Sequence, residues 1–285
     1  MRNAIKGPIA FLVLSCGLLA GCSSIGSVFG SDDDDIPIDN RSAREIYQSA
    51  EQDLSDGNGQ KAAETFNEVE RLYPFSQLSK RAVIMSAYSS YEARDYPAAR
   101  TSANRYLDLY PSDVDAPYAQ YLIGLTYYDN IVDVGRDQAT TQNALQSLQE
   151  VVRRYPESDF ARDAQLKIDL TNDHLAAKEM AVGRYYLKRG HYPAAINRFR
   201  VVIEKYQTTN QTPEALHRLV EANLALGLEQ EAVDAAAVLG KNFPGSEWYA
   251  NSYELLTGRN VLPPADDEDG FFSRTYRQVF EGKWL

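Results

Sequence analysis

The chain has 285 residues, 44% of them hydrophobic, with 40 acidic against 29 basic side chains and a formal charge of −11. That acidic balance disfavours nucleic acid, which rewards positive charge. Two cysteines and three isolated histidines, His174, His191 and His217, with no Gly-rich phosphate loop, form no metal-ligating or catalytic constellation. The expectation is a non-enzymatic binding protein with no metal.

At the front, Arg2 and Lys6 precede the run from Ile9 to Ala20, and small residues follow, the layout of an export signal. A run of 12 residues is too short to cross a bilayer as a helix. Leu19-Ala20-Gly21-Cys22 resembles the bacterial lipoprotein box, in which cleavage leaves the cysteine first and its thiol carries lipid. Residues 1–21 therefore read as a lipoprotein signal peptide and Cys22 as the lipidation site, the covalent lipid being the sole prosthetic group expected. A plain secretory signal with an incidental cysteine is the alternative. Cys16 would leave with the leader and Cys22 would be acylated, so no thiol remains for a disulfide. Loss of Arg2 and Lys6, with no acid in residues 1–21, takes the charge from −11 to −13. Acyl chains contribute about 0.8 kcal/mol per buried methylene, and more than one makes the anchor durable. Ser23 follows the cysteine where, in bacterial lipoproteins, an Asp resembles an inner-membrane retention signal. The expected location is the outer membrane, lipid-anchored, on its periplasmic face. Residues 22–40, with the run Asp32 to Asp35, read as a solvated tether kept extended by repulsion. Adjacent aspartates without a Gly-turn loop do not make an EF-hand-like cage.

Residues 41–256 repeat. Tyr96-Pro97-Ala98-Ala99 recurs as Tyr192-Pro193-Ala194-Ala195, and the second alanine is a ruler. Counting 12 residues forward from Ala62, Ala99, Ala144 and Ala232 lands on Pro74, Pro111, Pro156 and Pro244, while Ala195 leads to Gln207. The residue before each is aromatic: Tyr73, Tyr110, Tyr155, Tyr206 and Phe243. One turn after each ruler stand Phe66, Ala103, Leu148, Phe199 and Ala236. Twelve residues before it stand Ala50, Ala87, Gly183 and Val220, where paired helices would cross; the third copy has Gly124 at 20, an insertion of 8. Gly190 and Pro193 predict a helix end in the left-handed conformation and a fresh first turn. These offsets resemble the tetratricopeptide repeat, of about 34 residues. The expected fold is all-α, an α-solenoid of five tetratricopeptide-like helix pairs, irregular because the copies are 37, 45, 51 and 37 residues apart.

In such arrays the first helix of each pair lines the inner face, a surface for binding. Tyrosine accumulates there: Tyr47, Tyr88, Tyr91, Tyr121 and Tyr128, with Ile84, Tyr118 and Leu125 alongside. A rigid amphipathic ring offers contact area at low entropy cost, and the other reading is packing between helices. The fourth and fifth copies carry Met180, Arg184, Leu187, Glu214, His217 and Glu221 at these positions, a mixed charged surface that would set partner choice.

Residues 257–285 leave the repeat pattern at Val261-Leu262-Pro263-Pro264, and Asp266-Asp267-Glu268-Asp269 follows. Phe272, Tyr276, Val279 and Phe280 then fall on one helical stripe. This amphipathic tail reads as a partner-docking peptide, or as a cap folded back on the last repeat.

Together, the lipoprotein box and the repeats make the chain resemble the BamD family, lipoproteins of the machinery that folds barrels into the bacterial outer membrane. Glu45-Ile46-Tyr47, Gly57-Asn58, Tyr73-Pro74-Phe75 and the insertion around Val134 to Gln138 carry the resemblance, which covers residues 19 to about 256. It implies a scaffold with three kinds of protein partner: the POTRA domains of an Omp85-type barrel subunit, other assembly-machinery lipoproteins, and unfolded barrel proteins. The tyrosines of copies one to three would then receive a substrate's terminal strand. The resemblance also makes Arg198, in Asn197-Arg198-Phe199, a POTRA contact, with Arg184 on the same partner face; a solvent-facing Arg198 is the alternative. Tetratricopeptide lipoproteins of other envelope complexes, secretin or pilus pilotins and cell-wall scaffolds, share the anchor and the repeats.

Overall fold

The computed structural model describes residues 40–261. Internal contacts divide the chain into Met1–Pro37 and Ile38–Leu285, and all the described residues belong to the second unit. Cys22, the aspartate run and the stripe of Phe272, Tyr276, Val279 and Phe280 lie outside the described residues.

Among the described residues there are eleven α-helices and no strand: α1 (Ala43–Ser55), α2 (Gly59–Leu72), α3 (Gln77–Glu92), α4 (Tyr96–Leu109), α5 (Ala116–Tyr128), α6 (Ala139–Arg154), α7 (Asp159–Lys188), α8 (Tyr192–Lys205), α9 (Thr212–Ala225), α10 (Glu229–Asn242) and α11 (Glu247–Gly258). They form five successive pairs, α1/α2 to α9/α10, with α11 last. Each first helix packs on its own second helix and on the neighbouring first helices, and from α3 onward also on the preceding second helix. The fold is the expected all-α solenoid of tetratricopeptide-like pairs.

The ruler positions explain the pairing. Ala62, Ala99, Ala144, Ala195 and Ala232 are all fully buried, as are the residues one turn on, Phe66, Ala103, Leu148, Phe199 and Ala236. Where the helices cross, size is divided between the partners. A methyl group on Gly124 would stand 2.8 Å from Leu148 Cδ2, and one on Gly183 would stand 2.4 Å from Phe199 Cε1. Glycine is required at both because the facing side chain already fills the crossing.

Each second helix ends on its aromatic residue in one backbone conformation, with φ −132° at Tyr73, −134° at Tyr110, −133° at Tyr155 and −137° at Phe243. Proline in the next position disfavours α geometry there. Tyr206 precedes Gln207 and yet stops α8 with φ −129°. In every copy the carbonyl of this aromatic residue accepts from the N–H three residues on, that of Ser76, Asp113, Ser158, Thr209 or Ser246. Tyr206 keeps that turn without the proline, and its carbonyl also accepts from the hydroxyls of Thr209 and Thr212 at 2.7 and 3.1 Å. Within pairs, Gly57, Gly190 and Gly227 turn the chain at φ +80°, +75° and +75°, and Arg94 does so at +60° in the second copy.

Two features break the regularity. The third pair is joined by residues 129–138 rather than by three residues. Gln138, 8% exposed, organises that loop: its amide nitrogen donates to the carbonyls of Asp133 and Arg136, and its amide oxygen accepts from Thr141. The first helix of the fourth copy, α7, has 30 residues where the other copies' first helices have 13 to 16. Its front half packs Ala164 and Ile168 against Leu148 and Val151 of α6, and its back half packs Ala176 and Met180 against Phe199 and Val202 of α8. One rigid helix therefore serves two copies.

Candidate functional site

The five tyrosines predicted to line a groove separate once the chain is folded. Tyr47 is 5% exposed, its ring edge-on to Phe66 at 5.1 Å, so it belongs to the core of the first pair. Tyr121 is 9% exposed; its hydroxyl donates to Asp163 of α7 and its ring lies 5.5 Å from Phe160. Tyr91 is half-buried, with its hydroxyl donated to Asp129 just past α5. The Tyr91 and Tyr121 phenols are ties between helices. Burial pushes Tyr91 and Tyr121 up, and the neighbouring carboxylates add to it, so both stay protonated donors. Tyr128 is half-buried beneath the Lys167 ammonium, 5.4 Å from the ring centroid, and Lys167 is itself paired with Asp163 at 2.9 Å.

Tyr88 is placed differently. Arg81, Ile84, Met85 and Tyr88 recur at helical spacing along α3, and with Asp115 and Tyr118 of the third pair they line a depression of about 340 Å³. Its floor is apolar and aromatic. Burial raises the phenols of Tyr88 and Tyr118, and in Tyr88 a hydrogen bond to Glu92 adds to it. The Arg81 guanidinium on the rim is exposed and has no ion-pair partner among the described residues. An apolar socket beside an uncommitted cation suits an aromatic side chain close to a carboxylate. Sequence reasoning named Tyr88, Ile84 and Tyr118 but missed Arg81, Met85 and Asp115. The signal for Arg81 was its position, one turn before Ile84 on the same stripe.

On the fourth and fifth copies, Arg184 and Arg198 are surface residues already engaged. Arg184 Nη1 lies 2.9 Å from Glu214 Oε2, which joins α7 to α9. Arg198 Nη1 lies 3.1 Å from Glu179 Oε2, which joins α8 to α7. Exposed pairs of this kind hold about 0–1 kcal/mol, so either arginine can exchange its carboxylate for another at small cost. The mixed charged surface is narrower than expected, because Met180 is fully buried and His217 is 5% exposed. His217 is fixed by Ser252 Oγ at 2.8 Å and by the ring of Trp248, both on α11. His191 sits exposed in the α7–α8 turn. Among the described residues, no group of three or more His, Cys, Asp or Glu side chains is arranged to hold a metal.

A family model described as outer membrane lipoprotein, YfiO, matches residues 39–239. That stretch holds the socket and both arginines. Three relatives bear the name outer membrane protein assembly factor BamD. The protein from Caulobacter vibrioides is 49% identical over 221 residues, 78% of this chain and 72% of the relative. That from Rickettsia prowazekii is 45% identical over 196 residues, 69% of this chain and 78% of the relative. That from Neisseria meningitidis serogroup A is 31% identical over 254 residues, 85% of this chain and 94% of the relative. With a family match over most of its length and relatives at these identities, the chain belongs to the BamD family, the YfiO-type outer membrane lipoproteins.

Proposed function

We propose that the chain is a non-catalytic scaffold subunit of the outer membrane protein assembly machinery. Acyl chains on Cys22 hold it at the periplasmic face of the outer membrane. The α3–α5 socket receives the terminal strand of an unfolded barrel protein, and the face bearing Arg184 and Arg198 meets the POTRA domains of an Omp85-type barrel subunit. Family membership supports the role in assembly. The observation that carries substrate binding is the socket itself, in which Ile84, Met85, Tyr88 and Tyr118 surround an apolar hollow beside the unpaired Arg81. Tyr47 and Tyr121, committed to packing, stabilise the helices that present it.

The experiment is an anisotropy titration of the full chain with a labelled peptide that copies a barrel C-terminus, ends in Phe and has a free carboxylate. Amidating that carboxylate, or Arg81→Ala, weakens binding roughly tenfold, as expected for one lost charge-assisted pair. Tyr88→Ala weakens it at least as much, whereas Tyr185→Ala, at an exposed position on α7, leaves it unchanged. Equal binding of the free and amidated peptides refutes the socket. On the partner face, Arg198→Glu lowers affinity for an isolated POTRA segment, and unchanged affinity refutes that assignment. Co-purification from solubilised outer membranes with a secretin, and without an Omp85-type barrel, would identify a pilotin instead.

A further inference from the structure

The chain leaves α11 by a turn it has already used in four copies. In the first, second, fourth and fifth, the residue after the left-handed position donates its N–H to the carbonyl five residues back: Asn58 to Asp53, Asp95 to Ser90, His191 to Tyr186 and Leu228 to Asn223. That same residue stands at the N-cap of the second helix. α11 ends in the same way, with Asn260 at φ +58° and the Val261 N–H donating to the Leu256 carbonyl at 3.0 Å. Val261 packs on the core that Leu256 shares with α9 and α10. The turn reverses the chain and aims it back along the helix it has just left.

α11 is a first helix in its other features too. Phe243 stops the helix before it, Ser246 caps it, and it packs on α9 and α10. Among the described residues no second helix follows it. On α9, Val220 and Leu224 stand eight and four residues before the turn residue Leu228, in one core with Ala232, Val233 and Ala236 of α10, and are 0% and 5% exposed. Their counterparts on α11, eight and four residues before Val261, are Tyr253 and Thr257, and both are half-buried. The flank that α9 gives to its own second helix is thus the open flank of α11.

We propose that this flank is a docking surface for the chain's own residues 271–283, which complete a sixth helix pair. Phe272, Tyr276, Val279 and Phe280 fall at i, i+4, i+7 and i+8, the spacing of Ala195, Phe199, Val202 and Ile203 on α8. Arg274, Arg277, Gln278 and Glu281 take the opposite side, the polar outer face that a terminal repeat needs. Asp266 to Asp269 stand just ahead, where the helix dipole favours negative charge. The nine residues 262–270 span up to about 30 Å when extended, more than the roughly 18 Å length of a 12-residue helix, so the join can reach either end of α11. The third pair already contains such a join, residues 129–138. An apolar stripe also suits the groove of another protein, but the turn at Asn260 directs the chain to α11. Docked there, the stripe is closed to partners.

The test places cysteine pairs in the full chain, with Cys16→Ala and Cys22→Ala, and joins them with a short bis-maleimide. Thr257→Cys with Tyr276→Cys crosslinks within one chain. The crosslink is lost when Gln278→Cys, on the polar side of the stripe, replaces Tyr276→Cys. It is also lost when Asn251→Cys, which lines the cleft between α9 and α11, replaces Thr257→Cys. Ending the chain after Val261 quickens amide exchange in α10 and α11 and leaves α1 to α8 unchanged, because a repeat touches only its neighbours. Phe280→Asp in the full chain does the same, which keeps the test open if the shortened chain fails to fold. The proposal is overturned if Thr257→Cys and Tyr276→Cys do not crosslink, if their crosslink joins two chains, if Asn251→Cys captures the tail instead, or if neither change alters exchange in α11.

Discussion

The second and fourth copies cross their helices at the same register, twelve residues before and four after the ruler alanine, and fill the crossing in opposite ways. In the second, Ala87 and Ala103 share the space, and both are fully buried. In the fourth, Gly183 gives up its side chain entirely to a buried Phe199 ring. The frame fixes where helices approach, and volume can sit on either helix. The two copies also differ in how they are tied to the next one. The second uses a partly buried cluster: Tyr106 donates to Asp113 Oδ1 at 2.6 Å, and Lys80 pairs with Asp113 Oδ2. The fourth uses the half-exposed Arg184–Glu214 pair.

The crossing predicts the largest effect. Phe199→Ala costs about 3–5 kcal/mol, and Gly183→Ala alone costs about 1–3 kcal/mol by overpacking. Combined, they are not additive: once the ring is gone the added methyl has room, and the double variant regains part of the loss, a coupling of about 0.5–3 kcal/mol. Thermal melts read this as about 2–4 °C per kcal/mol. Strict additivity would mean that the two residues do not share one space.

Tyr106→Phe sharpens the contrast between the ties. It removes a hydroxyl donated to a carboxylate, a loss of about 1.5–3 kcal/mol. Lys80 first, and then Tyr106, hold the Asp113 carboxyl down to about 2 from an ordinary 3.8. A depressed carboxyl stabilises the fold above its unfolded value and loses that contribution as pH falls from about 4 through about 2. Without the hydroxyl, Asp113 titrates nearer its ordinary value, so acid loosening of the second and third copies moves to higher pH. Amide exchange followed by pH in those copies detects it, while the fourth copy, which lacks the cluster, is unaffected.

The hairpin turns give a smaller effect of opposite sign. Arg94 stands at φ +60° where three other copies place glycine. A left-handed conformation costs an L-residue about 1–2 kcal/mol, against about 0.5–1 kcal/mol of added chain freedom in glycine. Arg94→Gly therefore raises the melting temperature slightly, and Gly190→Ala lowers it. A drop in Arg94→Gly would point to a contact of the Arg94 side chain that outweighs backbone strain.

The crossings, turns and aromatic stops were legible in the sequence because backbone geometry admits few residue types there: Gly at positive φ, small residues at a crossing, an aromatic before Pro. The binding tyrosines were not. First-helix positions face both the groove and the neighbouring helix, and the choice depends on which acid or ring the next copy presents. Asp163 and Phe160 of the next copy draw Tyr121 into the core, whereas the acid that Tyr88 meets is Glu92 of its own helix. The length of α7 was visible in principle, since residues 159–182 contain neither Gly nor Pro. The stop at Tyr206 has no proline after it, and it shares with the other copies the N–H bond from three residues on, which a proline rule does not anticipate.

The smallest effect concerns the tie of the fourth copy. Glu214 accepts from Arg184 at 2.9 Å and also from Arg218 at 3.2 Å, and Arg218 reaches Glu221 at 2.7 Å. Removing Arg184 leaves Glu214 with a cation, so no carboxylate is stranded. The Arg184 side chain is 42% exposed, and screening keeps its pair to about 0–1 kcal/mol. Arg184→Ala thus shifts the melt by less than Tyr106→Phe does, and the shift shrinks further as salt rises. Glu214→Ala exceeds it, because that change takes a partner from two arginines at once. The ordering follows from where each tie sits: the second copy is held by a partly buried polar cluster, whereas the fourth is held by the Phe199 ring with charge at its margin. A salt-independent loss in Arg184→Ala that matched Tyr106→Phe would make the two ties equivalent, and the contrast between the copies would then reduce to the crossing alone.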